Sequence, residues 1–284
     1  MKFHKMQGAG NDFIVLNNLE LKIPADRFSA MVLHLCRRRI SLGADALMIL
    51  DAPEGDGDFR MLFFNADGSE GEMCGNGARC LARYAYEQGV AGDQMKFETR
   101  AGLVEAWRIS RRDYRVKLNS PEVVELSVPL EVEGRRLMVD YVELGRPGLP
   151  HVVVDWESLG AIPEDELRRL AQAIRFHPRF PKGANVNFCR VIGLDRVLAQ
   201  TFERGVEDFT LACGTGSGSM ALTLKMRGRV AGERVGLTVP GGELFIEIKD
   251  GADGRVELFL IGQTNLVAEG RITDEDGPDG IFGE

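Results

Sequence analysis

The chain is 284 residues long, 44% hydrophobic and 27% charged, with a formal net charge of −8 at pH 7. That length exceeds one average domain, so two domains of moderate size are expected. No apolar run reaches the ~18 residues of a membrane span, and the acidic net charge disfavours binding to phosphate, so the composition excludes a membrane-spanning helix and argues against nucleic acid as a partner.

In chain order, the start MKFHKMQGAGNDF turns to Gly, Asn and Asp where an export signal would stay apolar, and a cytoplasmic protein is expected. Arg37-Arg38-Arg39 reads as a solvated helix end. Phe63-Phe64-Asn65 leads into Cys74-Gly75-Asn76-Gly77, after which helical spacing runs from Ala78 to Gln88. Lys96 to Thr99 is strand-like, and apolar alternation predicts strands at Glu105 to Ile109 and Arg115 to Leu118. A boundary is expected near Leu118-Asn119-Ser120-Pro121. Beyond it, helical spacing covers Glu164 to Ile174. Thr201-Phe202-Glu203 then leads into Cys213-Gly214-Thr215-Gly216, followed by a predicted helix over Gly218 to Arg227 and strands at Gly236 to Val239 and Glu243 to Ile248. From Thr273 the chain is acidic and glycine-rich, and a disordered tail over 273–284 is expected.

The stretches around Cys74 and Cys213 are copies of one another. Cys74 to Gly102 spans 28 positions and Cys213 to Gly242 spans 29, with Gly-Val-Ala-Gly at 89–92 echoed by Arg-Val-Ala-Gly at 229–232. A fainter echo links Gly8 to Leu16 with Gly145 to Val154. Two long copies predict a duplication into two pseudo-symmetric mixed α/β domains, 1–118 and 119–261, each with strands folded around a helix that begins just after its cysteine. Residues 262–272 are expected to return to the N-terminal half as a last strand.

Five cysteines, an odd number with no Cys-x-x-Cys pair, suit reduced thiols and neither a disulfide framework nor a metal site. Cys36, Cys80 and Cys189 fall in apolar helix or strand patterns and read as packing residues, whereas Cys74 and Cys213 each precede a glycine-rich helix start. The unpaired first-turn N–H groups and the helix dipole attract a carboxylate and favour thiolate in a neighbouring cysteine. Two such thiols, on opposite sides of a ligand bound between the domains, could remove a Cα proton from one face and return one to the other. That inverts an amino acid's stereocentre without pyridoxal phosphate.

MQGAGNDFIVL, SLGADALMIL, FFNADGSEGEMCGNGARC, GANVNF and FERGVEDFTLACGTGSGS together resemble the diaminopimelate epimerase family, over nearly the whole chain to about Ile272. The resemblance implies two similar domains, each a mostly antiparallel sheet or barrel curled around a central helix, and a homodimer that needs no cofactor. It makes Cys74 and Cys213 the acid/base pair acting on a small amino-acid substrate. Main-chain groups of Gly75, Asn76, Gly214 and Thr215 would bind the reacting carboxylate. Asn11, Asn65, Asn185 and Glu203 would hold the amino and carboxylate groups, Arg204 would pair with the distal carboxylate, and His151 would orient a catalytic group. The chain departs from the family pattern at Gly148-Leu149-Pro150-His151, where Leu149 replaces the usual Asn after an additional Arg146-Pro147. A second departure is Ser41-Leu42-Gly43, where the family usually has Gly-x-Gly before Ala-Asp. His4, His34 and His177 read as structural or surface residues. Two further readings follow from the residues: a cofactor-independent racemase of another amino acid, and a non-catalytic redox or ligand-binding protein whose thiols pair reversibly.

Overall fold

Phe13 to Leu16 and Ala46 to Leu50 are too continuously apolar for strands with one wet face. In the computed structural model, which describes residues 1–252 and 254–273, both are strands buried on two sides. Phe13, Val15, Met48 and Leu50 face one apolar cluster, while Ile14, Leu16, Leu47 and Ile49 face another.

The elements up to the middle of the chain are β1 (Lys2–Gly8), β2 (Asn11–Asn17), α1 (Asn18–Leu21), α2 (Phe28–Leu35), β3 (Ala46–Asp51), β4 (Phe59–Asn65), α3 (Gly75–Glu87), β5 (Gln94–Thr99), β6 (Gly102–Arg108) and β7 (Asp113–Lys117). There follow β8 (Pro121–Val132), β9 (Arg135–Leu144), β10 (Leu149–Asp155), α4 (Glu164–Arg175), β11 (Asn185–Gly193), β12 (Arg196–Glu203), β13 (Asp208–Thr210), α5 (Gly214–Met226), β14 (Arg234–Val239), β15 (Gly242–Asp250), β16 (Val256–Gln263) and β17 (Asn265–Arg271). The helices predicted around Ala78, Glu164 and Gly218 and the strands predicted around Glu105, Arg115 and Glu243 all form. The tail expected to be disordered lies, from residue 274, outside the described residues.

The chain divides into two compact units: Met1–Val116 together with the segment from Gly262, and Lys117–Ile261. In the first, β1 and β2 form an antiparallel hairpin, β2 runs parallel to β3, and β3 is antiparallel to β4. The register Phe13↔Ala46↔Asn65 brings the start of β2, the start of β3 and the end of β4 to one edge. β17 pairs antiparallel with β1 along its length. α3 packs against β1, β2, β3 and β6; its Ala78, Leu81, Ala82 and Ala85 are fully buried, and the alanines let the strands approach closely.

The second unit repeats this layout. β10 runs parallel to β11, and β11 is antiparallel to β12. The pairings His151↔Asn185 and Val186↔Phe202 gather the start of β10, the start of β11 and the end of β12 at one edge. α5 packs against β9, β10, β11 and β15. α4 buries Leu167, Leu170, Ala171 and Ile174 in a cluster with Val152, Val186, Phe188 and Phe202. Both parallel and antiparallel pairs occur in each unit, so the sheets are mixed.

Candidate active site

Each unit carries half of the expected site, at a helix start beside the gathered strand ends. Cys74 is the N-cap of α3 with φ −130° and ψ 119°, and Cys213 is the N-cap of α5 with φ −121° and ψ 113°. The matching dihedrals and the matching length of 13 residues for both helices mean that the duplication preserved the backbone geometry of the cap, although a side-chain cap bond is made by Cys213 and not by Cys74. Extended backbone at an N-cap leaves the N–H groups of the following turn aimed outward. Gly75, Asn76, Gly214 and Thr215 occupy those positions.

In the first half-site the Cys74 thiol donates to Asn11 Oδ1 across 3.5 Å. Asn11 Nδ2 in turn donates to Asp45 Oδ2 at 2.6 Å. Asn76 is buried, and its Oδ1 accepts from Arg79 Nη2 at 2.9 Å. Arg79 is wholly buried within α3, folded back so that Nη1 also reaches the Gly75 carbonyl at 3.3 Å. Asn65 stands exposed at the end of β4, with Nδ2 on Ser69 Oγ at 3.1 Å.

In the second half-site Cys213 Sγ accepts from the Gly216 amide at 3.4 Å and lies 3.6 Å from Thr215 Oγ1. Glu203, at the end of β12, accepts from Thr210 Oγ1 at 2.6 Å and from the Cys213 thiol. Burial raises the Glu203 carboxyl above the usual carboxylate range, and these two hydrogen bonds pull it partway back. Arg204 donates its amide to Asn185 Oδ1 at 2.9 Å and its Nη1 to the Lys182 carbonyl at 3.1 Å. His151 is fully buried, with Nδ1 3.3 Å from Asn187 Nδ2 and Nε2 lacking a hydrogen-bond partner. Burial drives it down to about 3, so the ring is neutral at physiological pH.

The other three thiols do not qualify as bases. Burial pushes Cys36 up to about 11 and Cys80 and Cys189 up to about 12, which keeps them protonated and suits the packing role expected of them. His4 and His34 are buried, and His177 bonds the Glu131 carbonyl. Arg37, Arg38 and Arg39 are exposed after α2, but Arg38 is more than a solvated charge: it bridges Asp12 and Asp45. Among the described residues no cluster of His, Cys, Asp and Glu could hold a metal ion, and no helix is long and apolar enough to cross a membrane.

Four residues around the site escaped the sequence reading: Asp45, Arg79, Asn187 and Thr210. Asn187 ties the second half-site together, meeting His151 on one side and accepting from Thr201 Oγ1 at 3.0 Å on the other. All four sit inside the quoted motifs. What singles them out is a tertiary contact that spacing alone does not convey.

The family model for diaminopimelate epimerase matches residues 3–124 and 145–267. A diaminopimelate epimerase from Aquifex aeolicus is 38% identical over 97% of this chain and 99% of its own length. One from Methanothrix thermoacetophila is 38% identical over 97% of each. Among solved structures, a phenazine biosynthesis protein of the PhzF family from Bacillus anthracis shares the fold with a TM-score of 0.74 at 13% identity, over 96% of this chain and 98% of that one. A hydroxyproline epimerase from Agrobacterium vitis, with bound trans-4-hydroxy-L-proline, shares it with a TM-score of 0.68 at 20% identity, over 100% of this chain and 96% of that one.

Proposed function

The chain belongs to the diaminopimelate epimerase family, and from that premise we propose that it inverts one α-carbon of LL-2,6-diaminopimelate to give the meso isomer, with Cys74 and Cys213 as the two acid/base groups. The observation that carries this reading is the pair of cysteine N-caps with matching dihedrals, one in each copy of the duplication.

One sulfur, as thiolate, takes the Cα proton. The electron pair of the broken C–H bond passes to Cα and is delocalised into the carboxylate, while the other thiol delivers its proton to the opposite face. The net result is inversion with no change in proton count, and the two sulfurs exchange protonation states. First-turn amides at Gly75, Asn76, Gly214 and Thr215 are the donors for the carboxylate as negative charge develops on it. Glu203, hydrogen-bonded to Cys213 and raised by burial, is suited to accept and return that thiol's proton. Asn11, Asn65, Asn185 and Glu203 are assigned to the substrate's amino and carboxylate groups, and Arg204 to the distal carboxylate. Neutral His151 is assigned an orienting role. The reaction so written uses no pyridoxal phosphate. By the same reading the protein works as a cytoplasmic homodimer in the synthesis of lysine and cell-wall precursors.

The test is deuterium wash-in at Cα of LL-diaminopimelate in D2O, beside a panel of single L-amino acids. Wild-type enzyme should exchange and epimerise diaminopimelate, and Cys74→Ala or Cys213→Ala should each lower turnover by about 10²–10⁴-fold. Full racemisation by either variant would refute the thiol pair. Exchange confined to another amino acid would show a different substrate, in line with Leu149. Exchange with none, together with reversible thiol pairing, would favour the redox or ligand-binding reading.

A further inference from the structure

We propose that Asp45 is a positioning residue for this reaction, clamping the Asn11 carboxamide so that its oxygen, and not its nitrogen, faces Cys74. The inference rests on the thiol-pair reading and goes beyond it by assigning a role to a residue outside the set expected to touch substrate.

A carboxamide can turn end for end at little steric cost, and the turn exchanges an acceptor for a donor. Which end faces a thiol decides whether the hydrogen bond stabilises S–H or S⁻. A carboxylate only accepts, so Asn11 must present Nδ2 to Asp45, and the charge-assisted bond of 2.6 Å leaves Oδ1 directed at Cys74 Sγ. The Asp45 carboxylate is held in turn. Its Oδ2 also accepts from the Asp12 amide at 3.1 Å, and its Oδ1 takes Arg38 Nη2 at 2.7 Å. Arg38 is braced by Asp12 Oδ1 at 2.6 Å, and Asp12 by Lys5 Nζ at 2.7 Å. Gly43 completes the support: its φ is +68°, and a Cβ there would lie 2.9 Å from the Arg38 Cα, so only glycine lets Arg38 sit where it does.

The clamp exists in one copy of the duplication only. The registers Ile14↔Leu47↔Phe64 and Val152↔Val186↔Phe202 align β2, β3 and β4 with β10, β11 and β12. On that alignment Asn11 corresponds to Leu149 and Asp45 to Ala184, neither of which can form such a bond. Other charged groups around this half-site include Lys5 on β1, Asp12 on β2, Arg38 after α2 and Arg79 on α3, and Glu72 stands exposed two residues before Cys74. Cys80, also on α3, stays a neutral thiol. The buried Arg79 guanidinium favours thiolate at Cys74 and so opposes the clamp. Because Arg79 is present in every variant below, differences between variants isolate the clamp.

The experiment measures alkylation of Cys74 by iodoacetamide against pH in the full-length, substrate-free protein, read by mass spectrometry of the Cys74 peptide. Asp45→Asn frees the Asn11 amide to turn, so the Cys74 midpoint should fall by roughly one pH unit. Asp12→Asn removes the same charge from the same cluster but leaves the Asn11–Asp45 bond, so its shift should be clearly smaller. No fall in Asp45→Asn, or an equal fall in Asp12→Asn, would overturn the clamp. Should Asp45→Asn not fold, wild-type protein supplies a second measurement: the Asn11 Nδ2 proton bonded to Asp45 should resonate downfield of free asparagine. A free-asparagine shift would overturn the proposal. Neither readout needs turnover, so failure of the clamp is separable from failure of the epimerase reading, which the deuterium wash-in decides.

Discussion

At the scale of single residues, position sorts chemically similar groups into different roles. Cys36, Cys80 and Cys189 are held as thiols by desolvation, whereas half-buried Cys74 and buried Cys213 stand at helix N-caps beside first-turn amides. His151 is the extreme case, because the folded chain lowers it to about 3 from an ordinary 6.5. Between those values the unfolded chain binds a proton that the folded chain refuses, so stability must fall as pH falls from 6.5 toward 3. At pH 5 the loss from this group should be about 2 kcal/mol. His151→Gln should therefore show a smaller drop in urea midpoint between pH 7 and pH 5 than wild type. His4, lowered by burial as well, leaves a residual slope in both. Equal drops in the two proteins would contradict the buried neutral state.

At the scale of elements, the start of each central helix depends on glycine for a different reason. A Cβ on Gly216 would overlap Asn187 Oδ1 and come within 3.2 Å of Cys213 Sγ and Thr201 Oγ1. Asn187 is itself held by His151, Thr201 and the Val152 carbonyl, so it cannot give way. Gly216→Ala should cost roughly 1–3 kcal/mol from overpacking and lower turnover sharply. At the corresponding place in α3, a Cβ on Gly77 meets chiefly the Met48 thioether at 2.8 Å, and a flexible Met can move aside. Gly77→Ala should cost less than about 1 kcal/mol, measured by urea denaturation alongside Gly216→Ala. A reversed order would show that the two caps are not built as described. Both glycine clusters are visible in the sequence, but the ranking of their members is not, because it depends on what each Cα faces across the fold.

At the scale of the whole molecule, β17, the last strand among the described residues, closes the first unit. β17 pairs with β1 from Lys2↔Arg271 to Gln7↔Asn265, and the Thr264 carbonyl accepts from both Arg83 Nη1 at 3.0 Å and Arg112 Nε at 3.2 Å. A chain ending at Gln263 should expose the edge of β1 and leave the buried Arg83 without that acceptor. Amide exchange in β1 should then quicken by about tenfold or more, while the β11–β12 pair of the other unit keeps its protection. Unchanged exchange in β1 would contradict this closure. The sequence by itself determined the duplication, the two cysteines and the helices that follow them, because a cap and its helix are local and their spacing survives copying. Tertiary structure alone decided which neighbours those cysteines meet. Asp45 behind Asn11, Glu203 beside Cys213 and the neutral state of His151 depend on strand register and burial, which join residues from 10 to 36 positions apart.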